Sequence, residues 1–72
     1  MKLATIKDVK VGAKLKRFYS TDNPNNLSFE IKAIVDESMY VCKTWLTHKQ
    51  RWHYFIEHYS WFEVFLPYLY LR

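Results

Sequence analysis

The chain is short of the residues that make linkers, crosslinks and membrane spans. One glycine and two prolines in 72 residues exclude flexible linkers and low-complexity segments. The lone cysteine, Cys42, excludes an internal disulfide. A scaffold this small without disulfides is expected in the cytoplasm. Lys7, Asp8 and Lys10 follow closely on Met1 to Thr5, so no signal-peptide core is expected. The longest apolar stretch, Val64 to Leu71, is far short of the roughly twenty residues a membrane helix needs.

Catalytic and metal signatures are equally scarce. His48, His53 and His58 are spaced so that a strand sends His53 and His58 to opposite faces, and a helix parts them by about 140°. No histidine pair therefore shares a metal, and no cofactor is expected. Cys42 lies mid-strand among apolar residues, where a thiol behaves as a small buried hydrophobe. The carboxylates Glu57 and Glu63, or Asp36 and Glu37, offer no paired arrangement for acid–base work. A non-enzymatic protein is expected.

What is present is charge, and above all aromatic rings. The composition, 50% hydrophobic and 25% charged, is that of a globular chain, and the length allows one domain over residues 1–72. Net charge is +4. Residues 1–17 hold Lys2, Lys7, Lys10, Lys14, Lys16 and Arg17 against Asp8 alone, so the rest of the chain is close to neutral. Nine of the residues from Arg51 to Tyr70 are aromatic: Trp52, Tyr54, Phe55, Tyr59, Trp61, Phe62, Phe65, Tyr68 and Tyr70. A chain this short buries only about 60% of the surface its unfolded form exposes. Some of these rings must stay at the surface, where exposed rings usually touch something.

Periodicity supplies the elements. Thr5-Ile6-Lys7-Asp8 has capping-box form, which predicts a helical turn over residues 6–10 before Gly12. Ala13 to Tyr19 alternates as a first strand, and Ser20 to Asn26 is a loop rich in turn formers. Leu27 to Asp36 reads as a second strand with Leu27, Phe29, Ile31, Ala33 and Val35 on one face and Ile34 out of step. Asp36-Glu37-Ser38 turns it into Met39 to Leu46, forming a hairpin. After Thr47-His48-Lys49-Gln50, residues 51–62 fit either a helix or a strand. Strand spacing, favoured by the aromatic content, places Trp52, Tyr54 and Ile56 in the core with Phe55 as the exception. Trp61 to Leu66 is expected to be a fifth short strand ended by Pro67.

The fold class expected is mainly β, a small five-stranded barrel with at most a short helical turn near the N-terminus. In its strand grammar over about residues 11–66 the chain resembles SH3-like barrels, including the Tudor and KOW varieties. The segments Val11-Gly12-Ala13-Lys14-Leu15, Ile34 to Val41 and Lys49 to Tyr54 also resemble pieces of small proteins encoded by tailed phages and prophages. That resemblance implies an accessory role, such as modulating a host enzyme or defence system.

Two partner classes are expected. Protein contacts or self-association would use the rings of the C-terminal third, Tyr59, Trp61, Tyr68 and Tyr70, because Tyr and Trp dominate interface hot spots. Residues 68–71 alternate as a strand that either forms an edge open to a partner, a second copy included, or folds back and buries Leu69 and Leu71. Nucleic acid would instead use Lys14, Lys16, Arg17, Lys43, Arg51 and Trp52, with the interleaved rings and cations of Trp45, Arg51, Trp52, His53 and Tyr54 stacking on bases and the lysines of the first strand holding phosphates. Attachment to a membrane is not expected, since the cations and the aromatic tail lie at opposite ends of the chain.

Overall fold

Alternating segments rich in Val, Ile, Phe and Tyr favour extended backbone, and in the computed structural model, which describes residues 2–72, they form six strands. These are β1 (Lys2–Leu3), β2 (Lys14–Arg17), β3 (Leu27–Val35), β4 (Met39–Leu46), β5 (Arg51–His58) and β6 (Leu69–Leu71). All pair antiparallel in one open sheet of order β1-β6-β2-β3-β4-β5. The mainly β expectation holds, whereas five strands become six and the principal helix lies near the C-terminus. No helix is long and apolar enough to cross a membrane among the described residues.

Turn chemistry sets the registers. Asp36 and Glu37 adopt φ of 53° and 62°, and the Ser38 N–H donates to Val35 O at 3.3 Å, which reverses β3 into β4. Gln50, at φ 48°, closes the turn that sets Leu46 opposite Arg51. In the loop after β2, the Asn26 side chain accepts from the Tyr19 N–H at 2.9 Å and donates to Ser20 O at 2.7 Å. Gly12 sits at φ 89°, a conformation that costs glycine little. Its N–H donates to Ile31 O at 2.8 Å, which ties the segment before β2 to β3.

A bulge explains why Ile34 breaks the alternation of β3. Ile31 faces Cys42, but Ala33 faces Val41, so Lys32 is extra in the ladder. An extra residue reverses the phase of the strand beyond it. Leu27, Phe29 and Ile31 therefore point to one side, while Ala33 and Val35, expected on that side, point to the other.

The core lies on a single side of the sheet. Leu15, Phe29, Ile31, Tyr40, Cys42 and Leu69 are buried there, with Ala4, Val9 and Phe62. Phe62 comes from α1 (Tyr59–Phe65), where the sequence predicts a strand over Trp61 to Leu66. The His58 ring nitrogen accepts from the Ser60 N–H at 3.1 Å and caps the helix start. Helical spacing then turns Tyr59, Phe62, Phe65 and Leu66 toward the sheet and leaves Glu63 and Val64 in water. Residues 51–62 thus satisfy both readings in succession, strand to His58 and helix from Tyr59. A 3₁₀ turn, Leu66–Tyr68, contains Pro67 and delivers the chain into β6.

The tail folds back. β6 lies between β1 and β2, so both its edges are paired and it offers no free edge for dimerisation. Leu69 is fully buried and Leu71 partly so. The predicted N-terminal turn is the 3₁₀ turn Ile6–Asp8. Its Asp8 carboxylate accepts from the Thr5 N–H at 2.8 Å and hydroxyl at 3.1 Å. The backbone hydrogen bond from Thr5 lowers the Asp8 pKa from its ordinary value.

Candidate functional site

The strand registers place a consistent set of residues on the side of the sheet away from the core. Lys16 lies opposite both Tyr70 and Ser28, Lys14 opposite Glu30, and Glu30 opposite Lys43. Lys43 in turn lies opposite Tyr54, Trp45 opposite Trp52, and Val41 opposite Ile56. Directly opposed residues in a ladder share a face, so these form one surface across β6, β2, β3, β4 and β5. None of them is buried.

Trp52, Tyr54 and Ile56 stand on this open face at 55%, 57% and 60% exposure, so the expectation that they form the core is overturned. The residue of β5 that packs toward the core is Phe55, the exception in the alternation, whose ring meets Phe29 edge-on at 6.1 Å. The hairpin carries a signal for this phase. A four-residue turn sets Lys43 opposite Tyr54, and a lysine belongs on the side that faces water.

Cations and rings interleave on this face. The Lys43 ammonium lies 4.1 Å from the centre of the Trp52 ring and 5.9 Å from that of Tyr54. Trp45 meets Trp52 edge-on at 5.1 Å. Nearer β6, Lys16 sits 5.0 Å over Phe18, which meets Tyr70 edge-on at 6.3 Å. Between the two groups an open cleft of about 330 Å³ is lined by Ser28, Glu30, Lys43, Trp45, Trp52 and Arg72. The Glu30 carboxylate is drawn to Lys32 at 3.2 Å, which partly neutralises the acid nearest the lysines of the face.

Of the residues expected to contact nucleic acid, Lys14, Lys16, Lys43 and Trp52 come together on this face. Arg17 and Arg51 do not. Arg17 points to the core side, where its guanidinium covers Trp61 and Phe65 at 5.3 and 5.1 Å and donates to Asn25 O at 3.1 and 3.3 Å. Trp45 and Tyr54, two rings of the run expected to stack on bases, join the lysines and Trp52 on the open face, and Phe18 and Arg72, which the sequence did not single out, belong to the face as well. Strand registers are what bring them in.

The residues expected to contact protein are dispersed. Trp61 packs against Phe29, Phe62 and Phe65 at 5.9, 5.0 and 5.0 Å, and Tyr59 against Tyr40 at 6.0 Å. Both support the core from α1. Tyr68 is exposed and rests on Tyr19 at 4.9 Å, while Tyr70 lies on the open face.

Cys42 is fully buried, and its thiol pKa is pushed up to about 12, first by desolvation and then by the negative charge of Glu57. A thiol held so firmly protonated is a poor nucleophile. No group of three His, Cys, Asp or Glu side chains among the described residues is placed to hold a metal ion. No protein-family model matches the chain, and no curated protein or solved structure matches it. The chemistry of the open face is what remains to indicate function.

Proposed function

We propose that the chain is a non-enzymatic binding module whose open sheet face takes single-stranded nucleic acid. The observation that carries this reading is the convergence of Lys14, Lys16, Lys43 and Arg72 with exposed Trp45, Trp52 and Tyr54 on one side of the sheet. Rings stack on unpaired bases whatever the sequence, at about 1–3 kcal/mol per base, and cations beside them hold the phosphates. A sheet with one uncovered face meets this need because the strands hold the rings at fixed spacing.

An SH3-like ancestry belongs to the same proposal. It is supported by the order β6-β2-β3-β4-β5, in which the last strand returns beside β2 after a helical link. An accessory protein of the phage type acting in the cytoplasm accords with it.

Fluorescence anisotropy with a labelled oligothymidine, at two ionic strengths, tests the reading. Each phosphate contact on a single strand adds about 0.7 to the slope of log affinity against log salt, so four engaged cations give a slope of roughly −3. No binding to single-stranded DNA or RNA at low salt would end it.

A second reading, protein contact, is favoured by one observation. β5 is an edge strand that carries exposed Trp52, Tyr54 and Ile56 on its open side, and an unpaired edge with apolar side chains accepts a further strand. Of the four rings expected to anchor a protein, only Tyr68 and Tyr70 remain outside the core packing. If a protein binds through them, the Tyr68→Ala, Tyr70→Ala double variant keeps its fold and loses that partner in a pull-down.

A further inference from the structure

We propose that β5 pairs with β5 of a second copy, antiparallel about a two-fold axis at Tyr54, to join two sheets into one. The edge is long and regular. All eight residues of β5 are in register with β4 without a bulge, and β5 contains no proline. Such an edge invites pairing unless something blocks it, and one common block is a charge pointing toward the core side.

β5 carries two such charges, Arg51 and Glu57, both on the side of Phe55 by the alternation of the strand. Among the described residues neither has an ion-pair partner. Against an unrelated strand they would be desolvated without compensation. Against a second copy they compensate each other.

With the axis at Tyr54, Arg51 lies opposite the partner's Glu57, and Glu57 opposite the partner's Arg51. On the open face Trp52 then lies opposite the partner's Ile56, and Tyr54 opposite the partner's Tyr54. Opposite charges and aromatic–β-branched pairs directly across a ladder are both stabilising. Moving the axis to His53 sets Arg51 against the partner's Phe55, and moving it to Phe55 carries Arg51 past the strand end to the partner's Tyr59. Within the strand, only the Tyr54 register satisfies both charges. The pattern is that of an isologous interface, in which one patch is complementary to itself.

Dimerisation does not depend on what the open face binds, although it would make the two faces continuous. Sedimentation equilibrium without nucleic acid, at about 100 µM, where a dimer with Kd of ~10 µM is mostly formed, is the test. The native chain is expected at twice the chain mass, and Arg51→Glu and Glu57→Arg are each expected at the single mass. An equimolar mixture of the two variants returns to twice the mass, because every Glu then faces an Arg. The double variant Arg51→Glu, Glu57→Arg also dimerises. A misfolded single variant would not recover on mixing, and the double variant supplies an independent reading. A monomeric native chain, single variants that still dimerise, or a mixture and double variant that both stay monomeric would each overturn the proposal.

Discussion

Both faces of the sheet carry aromatic rings, and the difference between them is whether α1 lies above. On the covered face Phe29 is enclosed by Phe55, Trp61 and Phe62, with ring centres 5.9–6.2 Å away. On the open face Trp45 meets Trp52, Lys43 lies over Trp52 and Tyr54, and beyond that these rings meet water. Residue type does not separate the two groups. A Trp of α1 contributes to packing, and a Trp of β5 remains free to contact a ligand. One seven-residue helix can cover one side of a six-stranded sheet but not both, so the surplus of rings in so short a chain is segregated and not spread evenly.

The largest way to break this comparison is to remove Phe62. Truncating a fully buried Phe to Ala costs about 3–5 kcal/mol, comparable to the whole stability of a domain at the low end of the usual 5–15 kcal/mol range. Phe62→Ala is expected to lose its cooperative thermal transition by circular dichroism. Trp52→Ala removes a ring of similar or larger size from the open face and is expected to shift the melting temperature only slightly. An equal loss from both would mean that the open face is a second core.

Cys42 sharpens the covered side. Burial favours its neutral thiol, so the folded pKa, about 12, lies above the ordinary 9.0. Ionisation above pH 9 therefore occurs first in the unfolded chain. The stabilisation is fully present below about pH 9 and is lost as pH rises from there toward 12. Labelling by a thiol reagent at neutral pH should follow global unfolding, and rapid labelling of the folded protein would contradict the buried placement.

The smallest expected effect concerns Asp8, half-buried in the first 3₁₀ turn. Its pKa lies below the ordinary value because the Thr5 N–H donates to the carboxylate. Its contribution is present above the usual carboxylate range and lost as pH falls through the lowered value. An NMR titration of Asp8 should show a midpoint below 3.8 in the native chain.

Sequence alone made the elements legible where local chemistry decides them. The β3–β4 hairpin follows from alternation on either side of Asp36-Glu37-Ser38, and the Thr5 and Asp8 pair marks the first 3₁₀ turn. The side of the sheet on which β5 keeps its rings was not legible. Trp52, Tyr54 and Ile56 form the more apolar stripe of the strand, and a rule that places apolar residues inside assigns the core to them. The rule fails because β5 is an edge strand, where Phe55 alone reaches the core that α1 closes. The bulge at Lys32 escaped for a related reason. It shows only as one misplaced Ile34, and its effect on phase becomes clear once β4 is paired. β1, two residues long, has no periodicity to read.

The open face as the binding surface is tested most directly by ¹H–¹⁵N correlation spectra of the chain titrated with oligothymidine. Shifts are expected to concentrate on Lys14, Lys16, Lys43, Trp45, Trp52 and Tyr54, with the indole N–H signals of Trp45 and Trp52 moving together while that of Trp61 stays in place. Shifts centred on α1, or no shifts at low salt, would contradict binding by the open face.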